Sequence, residues 1–459
     1  MQSSRLHFDL ATLLRLLQMS IPMVISQGAF AVMIFTDRYF LAQVSPAHMA
    51  AALGGGVAWY FSFSLFNGIL AYANALIAQY LGAGELSKCS KVVTQGVILA
   101  CACIPVLIVI ALFMRNIFAA MGHLPEQATL EKNYYTILMF SSFITLVKVC
   151  IASFFSGTGR TRVVMVCDVA GILLNIPLCY ILVFGKFGMP AMGIEGAALG
   201  TVISTLFTLG LFIGFYLSRK NRVRYSVDKS FVFDRGITRR YIRLGFPSGI
   251  EVFLNVAAFN LFLLMFQSYG IPEAASATIV FNWDILSFVP LLGLNIAIMS
   301  QIGRAVGAGN MDMTNAVTTS GYVLGLGYSV LLAVLYLLFR NTLVEMFIFQ
   351  EQDAIAIREL ARFMMVGLSC YVLCEGVLQV AAGVLRGAGD TRWAMYASVS
   401  LHWLMLIVQF LIIKVFDLGA RISWIAFVVM IMTISLVFVL RLSSNKWRDP
   451  ERLRVVMAE

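Results

Sequence analysis

The stretch Leu13–Ala42, LLRLLQMSIPMVISQGAFAVMIFTDRYFLA, is long and apolar enough to cross a bilayer, yet it holds Pro22 and Asp37. A carboxylate at membrane depth is costly unless it is paired, protonated or facing water, so it marks function by default. Pro22 removes one helix hydrogen bond and its ring clashes with the carbonyl four residues earlier, which predicts a hinge about four turns before Asp37. A bendable helix with a buried acid near its outer end reads as a moving part.

Working outward, the 459 residues are 60% hydrophobic and 12% charged, with mean hydropathy +0.88. Soluble domains are far more polar, so an integral membrane protein is expected. Twelve spans are read, near 13–42, 51–81, 92–114, 134–156, 163–185, 194–217, 241–268, 275–303, 317–339, 361–384, 394–416 and 422–442. The net charge of +10 would suggest nucleic acid for a soluble chain. Here Lys88/Lys91, Arg160/Arg162, Arg304, Arg386/Arg392 and the tail Lys446 to Arg454 fall on one side, whereas VSPAHMA and YGIPEAA lack Lys and Arg. The positive-inside rule then puts both termini in the cytoplasm and the chain in the inner membrane, with acidic lipid headgroups as contacts and no nucleic acid. The first apolar run is too long for a cleavable signal peptide. The eight cysteines show neither metal-ligand nor CxxC spacing and read as reduced core residues.

The polar connection 218–240 divides the chain into an N-lobe, 1–217, and a C-lobe, 241–442, followed by a basic tail, 443–459. The two lobes repeat each other. RLLQMSIP at 15–22 aligns with RYIRLGFP at 240–247, Gly82-Ala83-Gly84 with Gly307-Ala308-Gly309, and Gly96 with Gly321, all at an offset of 225. FSGTGRTR at 155–162 aligns with LRGAGDTR at 385–392, at an offset of 230. Six spans bring both halves in from the same side, which predicts a parallel repeat with a path between its halves. GAGELSK and GAGNMDM lack the Walker lysine and hydroxyl, so they read as tight turns rather than phosphate loops.

These residues carry a family resemblance. FTDRYFLA in the first span, LLNIPLCYILVFG in the fifth, LGFPSGIE opening the seventh, VGAGN at Val306–Asn310 and EGVLQVAAGVLRGAGDT around the tenth resemble a multidrug and toxic compound extrusion (MATE) transporter, nearest the NorM-like branch. The resemblance covers essentially all twelve spans. It implies an all-α fold of two six-helix lobes in a V around a central cavity. It also implies an antiporter that expels organic, mostly cationic or amphipathic drugs against inward Na+ or H+. A monomer without another cofactor or bound metal is expected. The resemblance also assigns Asp37, Asn175 and Glu375 to cation or proton coupling. The chain departs from one branch at Cys179, where that branch has a second aspartate.

The family's seventh-span acid falls at Asn255, one turn beyond this chain's Glu251. Either the acid has moved by a turn with Asn255 kept as a ligand, or Glu375 serves alone and Glu251 meets substrate or water. Asn175 is read as a coupling ligand or as a helix–helix hydrogen bond. Asp284 in FNWDILSFVP is read either as counter-charge for an organic cation held by Trp283, Phe281 and Phe288, or as an acid at a wet mouth. Asp168 and Lys148 read first as a structural ion pair. A lipid-linked oligosaccharide flippase is the alternative function, and it would want arginines for a diphosphate where this chain has midspan acids. An enzyme is not expected, because His7, His48, His123 and His402 show no ligand spacing and no HExxH occurs.

Overall fold

The computed structural model describes residues 9–120, 125–348 and 354–459, so His7 and His123 lie outside the described residues. Twelve helices are long and apolar enough to cross a membrane: Leu10–Val44, Ala47–Gly82, Leu86–Met114, Pro125–Gly157, Thr161–Phe184, Gly193–Tyr216, Arg235–Gln267, Ile271–Gly307, Met311–Glu345, Ala354–Gly387, Thr391–Val415 and Ala420–Ser443. They are numbered spans 1 to 12 below. No strand occurs among the described residues. All are longer than the about 20 residues that hydrocarbon requires, which leaves their ends to reach water and headgroups.

The repeat seen in the sequence is also a repeat in packing. A side chain on Gly157, at the end of span 4, would meet Asn74 O at 2.8 Å and Ile77 Cβ at 2.9 Å; one on Gly387, at the end of span 10, would meet Met299 O at 2.7 Å and Ile302 Cβ at 2.9 Å. Asn74 and Ile77 are 225 residues before Met299 and Ile302. Likewise Gly96 abuts Cys150 and Gly321 abuts Val380, its counterpart at the 230 offset. Glycine is needed here because the backbones approach too closely for a Cβ. The turn glycines Gly84 and Gly309 share a left-handed φ, at 78° and 66°.

Pro22 and Pro247 lie within the continuous helices of spans 1 and 7. Packing divides the chain into two compact units, one of Met1–Val24 with Glu251–Ala458 and the other of Ile25–Ile250 with Glu459. This partition runs through the two proline helices, a few residues past each proline, whereas the division by connections falls at 218–240.

That connection is itself folded. It forms a helix, Arg219–Tyr225, and a 3-10 turn, Val227–Lys229. Ser90 Oγ donates to Tyr225 O at 2.7 Å, and Gln95 Nε2 to Val232 O at 2.9 Å. Span 7 begins at Arg235, not near 241, and Asp234 caps it by accepting from Ile237 N at 3.2 Å. Arg240, read as the last polar linker residue, is fully buried. Its Nη2 donates to Gln79 Oε1 at 2.6 Å and its guanidinium lies 4.6 Å from the centre of the Tyr80 ring. Composition ends a span at an arginine; a bonded, stacked guanidinium lets the helix continue.

The basic tail folds too, with Trp447 buried and Arg452 Nη2 3.0 Å from Asp390 Oδ1. All eight cysteines are free, but Cys101 and Cys370 are exposed, which corrects their reading as core residues. A thiol is a small hydrophobe and suits either face of an apolar helix.

Candidate functional site

In the first repeat, Asp37 is 5% exposed on span 1. Thr201 Oγ1 on span 6 lies 3.1 Å from Asp37 Oδ2 and also 3.1 Å from Ala197 O. The thiol of Cys179 on span 5 belongs to the same cluster and lies 3.7 Å from Ala197 O, the carbonyl that Thr201 also reaches. Asn175, one turn earlier and fully buried, donates Nδ2 to Cys179 Sγ and Ser204 Oγ, each at 3.4 Å. Asp37 Oδ1 and Asn175 Oδ1 are buried without a hydrogen-bond partner. Arg38 is half-buried near Tyr134, as expected for a residue about 100° around the helix from Asp37. Gly200 opposite Cys179 makes the cluster possible, since a Cβ there would come within 2.6 Å of Sγ.

In the second repeat the acids come as a pair. Asp284 on span 8 and Glu375 on span 10 are close enough to feel each other's charge. Tyr371, one turn before Glu375, is directed at Asp284. Its hydroxyl, Asp284 Oδ1 and Glu375 Oε2 are nevertheless buried without completing a hydrogen bond of normal geometry. Tyr336 Oη lies 2.8 Å from Trp283 O and 3.2 Å from Ser287 Oγ, and Tyr328 Oη reaches Ser287 O at 3.3 Å. Asp284 therefore sits among tyrosine hydroxyls. Of the aromatic residues read beside it, Trp283 donates Nε1 to Leu343 O at 3.3 Å and packs on Phe347. Phe281 is buried and meets Phe259, Trp424 and Phe427 edge to face. Phe288 is half-buried.

Glu251 and Asn255 share a face of span 7, as their spacing predicts, but their partners differ. Glu251, 2% exposed, accepts through Oε1 from Arg386 Nη2 at 2.9 Å. Asn255 Nδ2 donates to Ser398 Oγ at 2.8 Å, and its Oδ1 is left open. Arg386, read as reaching headgroups or capping its helix, instead neutralises a buried acid. His402 Nδ1 is 2.8 Å from Ser398 O, so its Nδ1–H is the donor. Among the described residues, no three His, Cys, Asp or Glu side chains converge as metal ligands would.

Sequence reasoning missed Thr201, Ser204, Tyr328, Tyr336 and Tyr371. The one-turn spacings Asn175/Cys179 and Tyr371/Glu375 were visible, whereas contacts between spans 1 and 6, or 8 and 10, leave no local pattern.

A family model described as MatE matches residues 22–181 and 247–411, each segment beginning at a span proline. The chain is 27% identical over 438 residues to the probable multidrug resistance protein NorM of Pasteurella multocida, covering 93% of each chain. It is 26% identical over 436 residues to the multidrug resistance protein MdtK of Yersinia pseudotuberculosis, covering 93% of this chain and 94% of that one. Its fold is similar to a MOP superfamily transporter from Pyrococcus furiosus described as having a binding pocket of reverse polarity, with TM-score 0.86, 20% identity and coverage of 100% and 99%. It is also similar to an outward-facing multidrug resistance MATE transporter of that superfamily, with TM-score 0.85, 21% identity and coverage of 99% and 100%. Twelve spans, a duplicated proline helix and a family match that takes up both copies lead to one conclusion: the chain belongs to the multidrug and toxic compound extrusion (MATE) family of membrane transporters.

Proposed function

We propose that this protein exports organic, mostly cationic or amphipathic compounds by antiport, alternating access being driven by inward flow of Na+ or H+. The carrying observation is that acids in both repeats each hold one buried oxygen without a hydrogen-bond partner, Asp37 in one and Asp284 with Glu375 in the other. A dry carboxylate with an open oxygen is stabilised by whatever cation reaches it.

At Asp37, Thr201 can act as a two-way relay. When the acid is ionised, the single hydroxyl proton of Thr201 points to Oδ2. When the acid is protonated, the carboxyl donates to Thr201, whose own proton turns to Ala197 O. A sodium ion would instead use the open oxygens of Asp37 and Asn175. At the second site, Asp284 and Glu375 repel each other, and a shared proton or a cation relieves the repulsion. Either event removes buried charge and shifts the balance between two conformations of the proline helices. Asn255, with an open carbonyl oxygen, remains a candidate ligand; we assign Glu251 to its arginine rather than to coupling. Trp283 and Phe288 are kept as substrate contacts beside Asp284. No catalytic step is assigned.

The basic connections support an inner-membrane protein with both termini cytoplasmic, acting as a monomer among lipids. The test is organic-cation efflux from proteoliposomes under imposed proton or sodium gradients, comparing wild type with Asp37→Asn and Glu375→Gln. Both variants are expected to weaken gradient-driven export, Asp37→Asn more than Glu375→Gln. Undiminished export in both would overturn the site assignment, and absence of cation transport under any gradient would favour a lipid-linked flippase.

A further inference from the structure

The polar side chain four residues after each span proline is fastened to a neighbouring helix. Ser26, four residues after Pro22 and 3% exposed, donates its hydroxyl to Asp168 Oδ2 on span 5, and Lys148 Nζ on span 4 lies 3.7 Å from Asp168 Oδ1. Glu251, four residues after Ser248's neighbour Pro247, is held by Arg386 at the end of span 10, and Asn255 by Ser398 on span 11. Ser26 and Glu251 are counterparts at the 225 offset, and Asp168 and Ser398 at the 230 offset. The repeat thus places a polar tie between its first and fifth helices twice, with unrelated chemistry. Along the chain, Ser26 and Glu251 come just after the points where the packing unit changes, after Val24 and after Ile250.

We propose that Ser26–Asp168–Lys148 and Glu251–Arg386, the latter reinforced by Asn255–Ser398, are a pair of latches that position the segments following Pro22 and Pro247. Proline has weakened each helix at that point, so the next turn needs an outside attachment to keep its direction. A hydroxyl donating to a carboxylate and a buried guanidinium–carboxylate pair are the stronger kinds of hydrogen bond. Lys148 and Asp168 keep 23% and 18% of their side-chain surface, and Arg386 and Glu251 keep 21% and 3%. That the latches take part in transport rests on the function proposed above; that they hold the helices does not.

The experiment is hydrogen exchange on the full-length protein in lipid nanodiscs, read over residues 23–34 and 248–259, so it needs no transport. Ser26→Ala is expected to speed exchange of 23–34 by about tenfold, the effect of losing a bond to a charged group, with 248–259 unchanged. Ser26→Thr keeps the hydroxyl and restores protection. Arg386→Gln is expected to act on 248–259 alone. In efflux assays, Ser26→Ala alters turnover while half-saturation by substrate stays the same. Unchanged exchange at 23–34, or faster exchange spread evenly over all spans, overturns the proposal. Should Ser26→Ala fail to fold, the exchanged pair Lys148→Asp with Asp168→Lys decides the matter: protection of 23–34 as in the wild type supports the latch, and its absence overturns it.

Discussion

At two positions where one repeat carries an acid, the other carries an aromatic. The counterpart of Asp37 is Phe262, which is fully buried and stacked on Phe427 with ring centres 4.7 Å apart. The counterpart of Asp284 is Trp59, which donates to Ser142 Oγ at 2.7 Å and stacks on Phe63. The glycine contacts are duplicated nearly atom for atom, but the chemistry is not. Duplication preserved what close packing requires, while at these two positions one repeat has a charge and the other a ring. One repeat has a single acid among a thiol, a hydroxyl and an amide; the other has two acids among tyrosines.

Several measurements can break or sharpen that contrast. The largest effect is expected at Asp37, which has no second acid in its cluster. Asp37→Asn should lower gradient-driven efflux by about 5- to 150-fold, the range of an ordinary coupling free energy. Asp284→Asn alone should cost less than the double variant Asp284→Asn with Glu375→Gln, because the remaining acid still binds the cation. A single second-site variant as damaging as Asp37→Asn would show that the pair does not share its task.

The second measurement is stability at the exchanged positions. Phe262→Ala should destabilise by about 3–5 kcal/mol, as deletion of a buried ring does, seen in thermal unfolding. Asp37→Ala should cost far less, since it removes an acid whose Oδ1 has no partner. Equal losses would mean that Asp37 is a structural residue. A smaller effect is expected at Gly376, beside Glu375, where a Cβ would lie 3.0 Å from Gly325 O. Gly376→Leu should cost about 1–3 kcal/mol by overpacking, read as a lower melting temperature.

The smallest effect concerns Asp234, outside the spans. Burial pushes its carboxyl up, but the Ile237 N–H and Lys91 at 3.1 Å outweigh that and hold it below the usual carboxylate range. Its contribution is therefore complete above the ordinary carboxylate range and is lost as pH falls through the lowered value. Asp234→Ala should remove about 1 kcal/mol at neutral pH, a typical helix-cap loss, and nothing in strong acid. An equal loss at both pH values would place the effect in packing instead.

Much of this was legible in the chain itself. Long apolar runs specify twelve helices because a bilayer demands internal backbone bonding, and an offset of 225 specifies two copies. Asp37, Glu375, Asp284 and Asn175 stood out because ionisable or amide groups inside apolar runs are costly. Their partners did not stand out. Thr201, Tyr336 and Tyr371 look like ordinary helix residues until spans far apart in sequence are packed together. In the chain alone Glu251 reads either as a displaced coupling acid or as an acid meeting substrate or water, and its pairing with Arg386 is not legible there, since nothing local reports a contact across 135 residues.

By itself, then, the sequence determined the number of helices, the duplicated proline helices and the residues too polar for their surroundings, because each follows from spacing or transfer cost along one chain. Only the tertiary structure decided which acid has a cation partner and which stands open, and that each proline helix passes from one packing unit to the other within a few residues of its proline. Those outcomes depend on distances between helices, and hydropathy carries no record of distance.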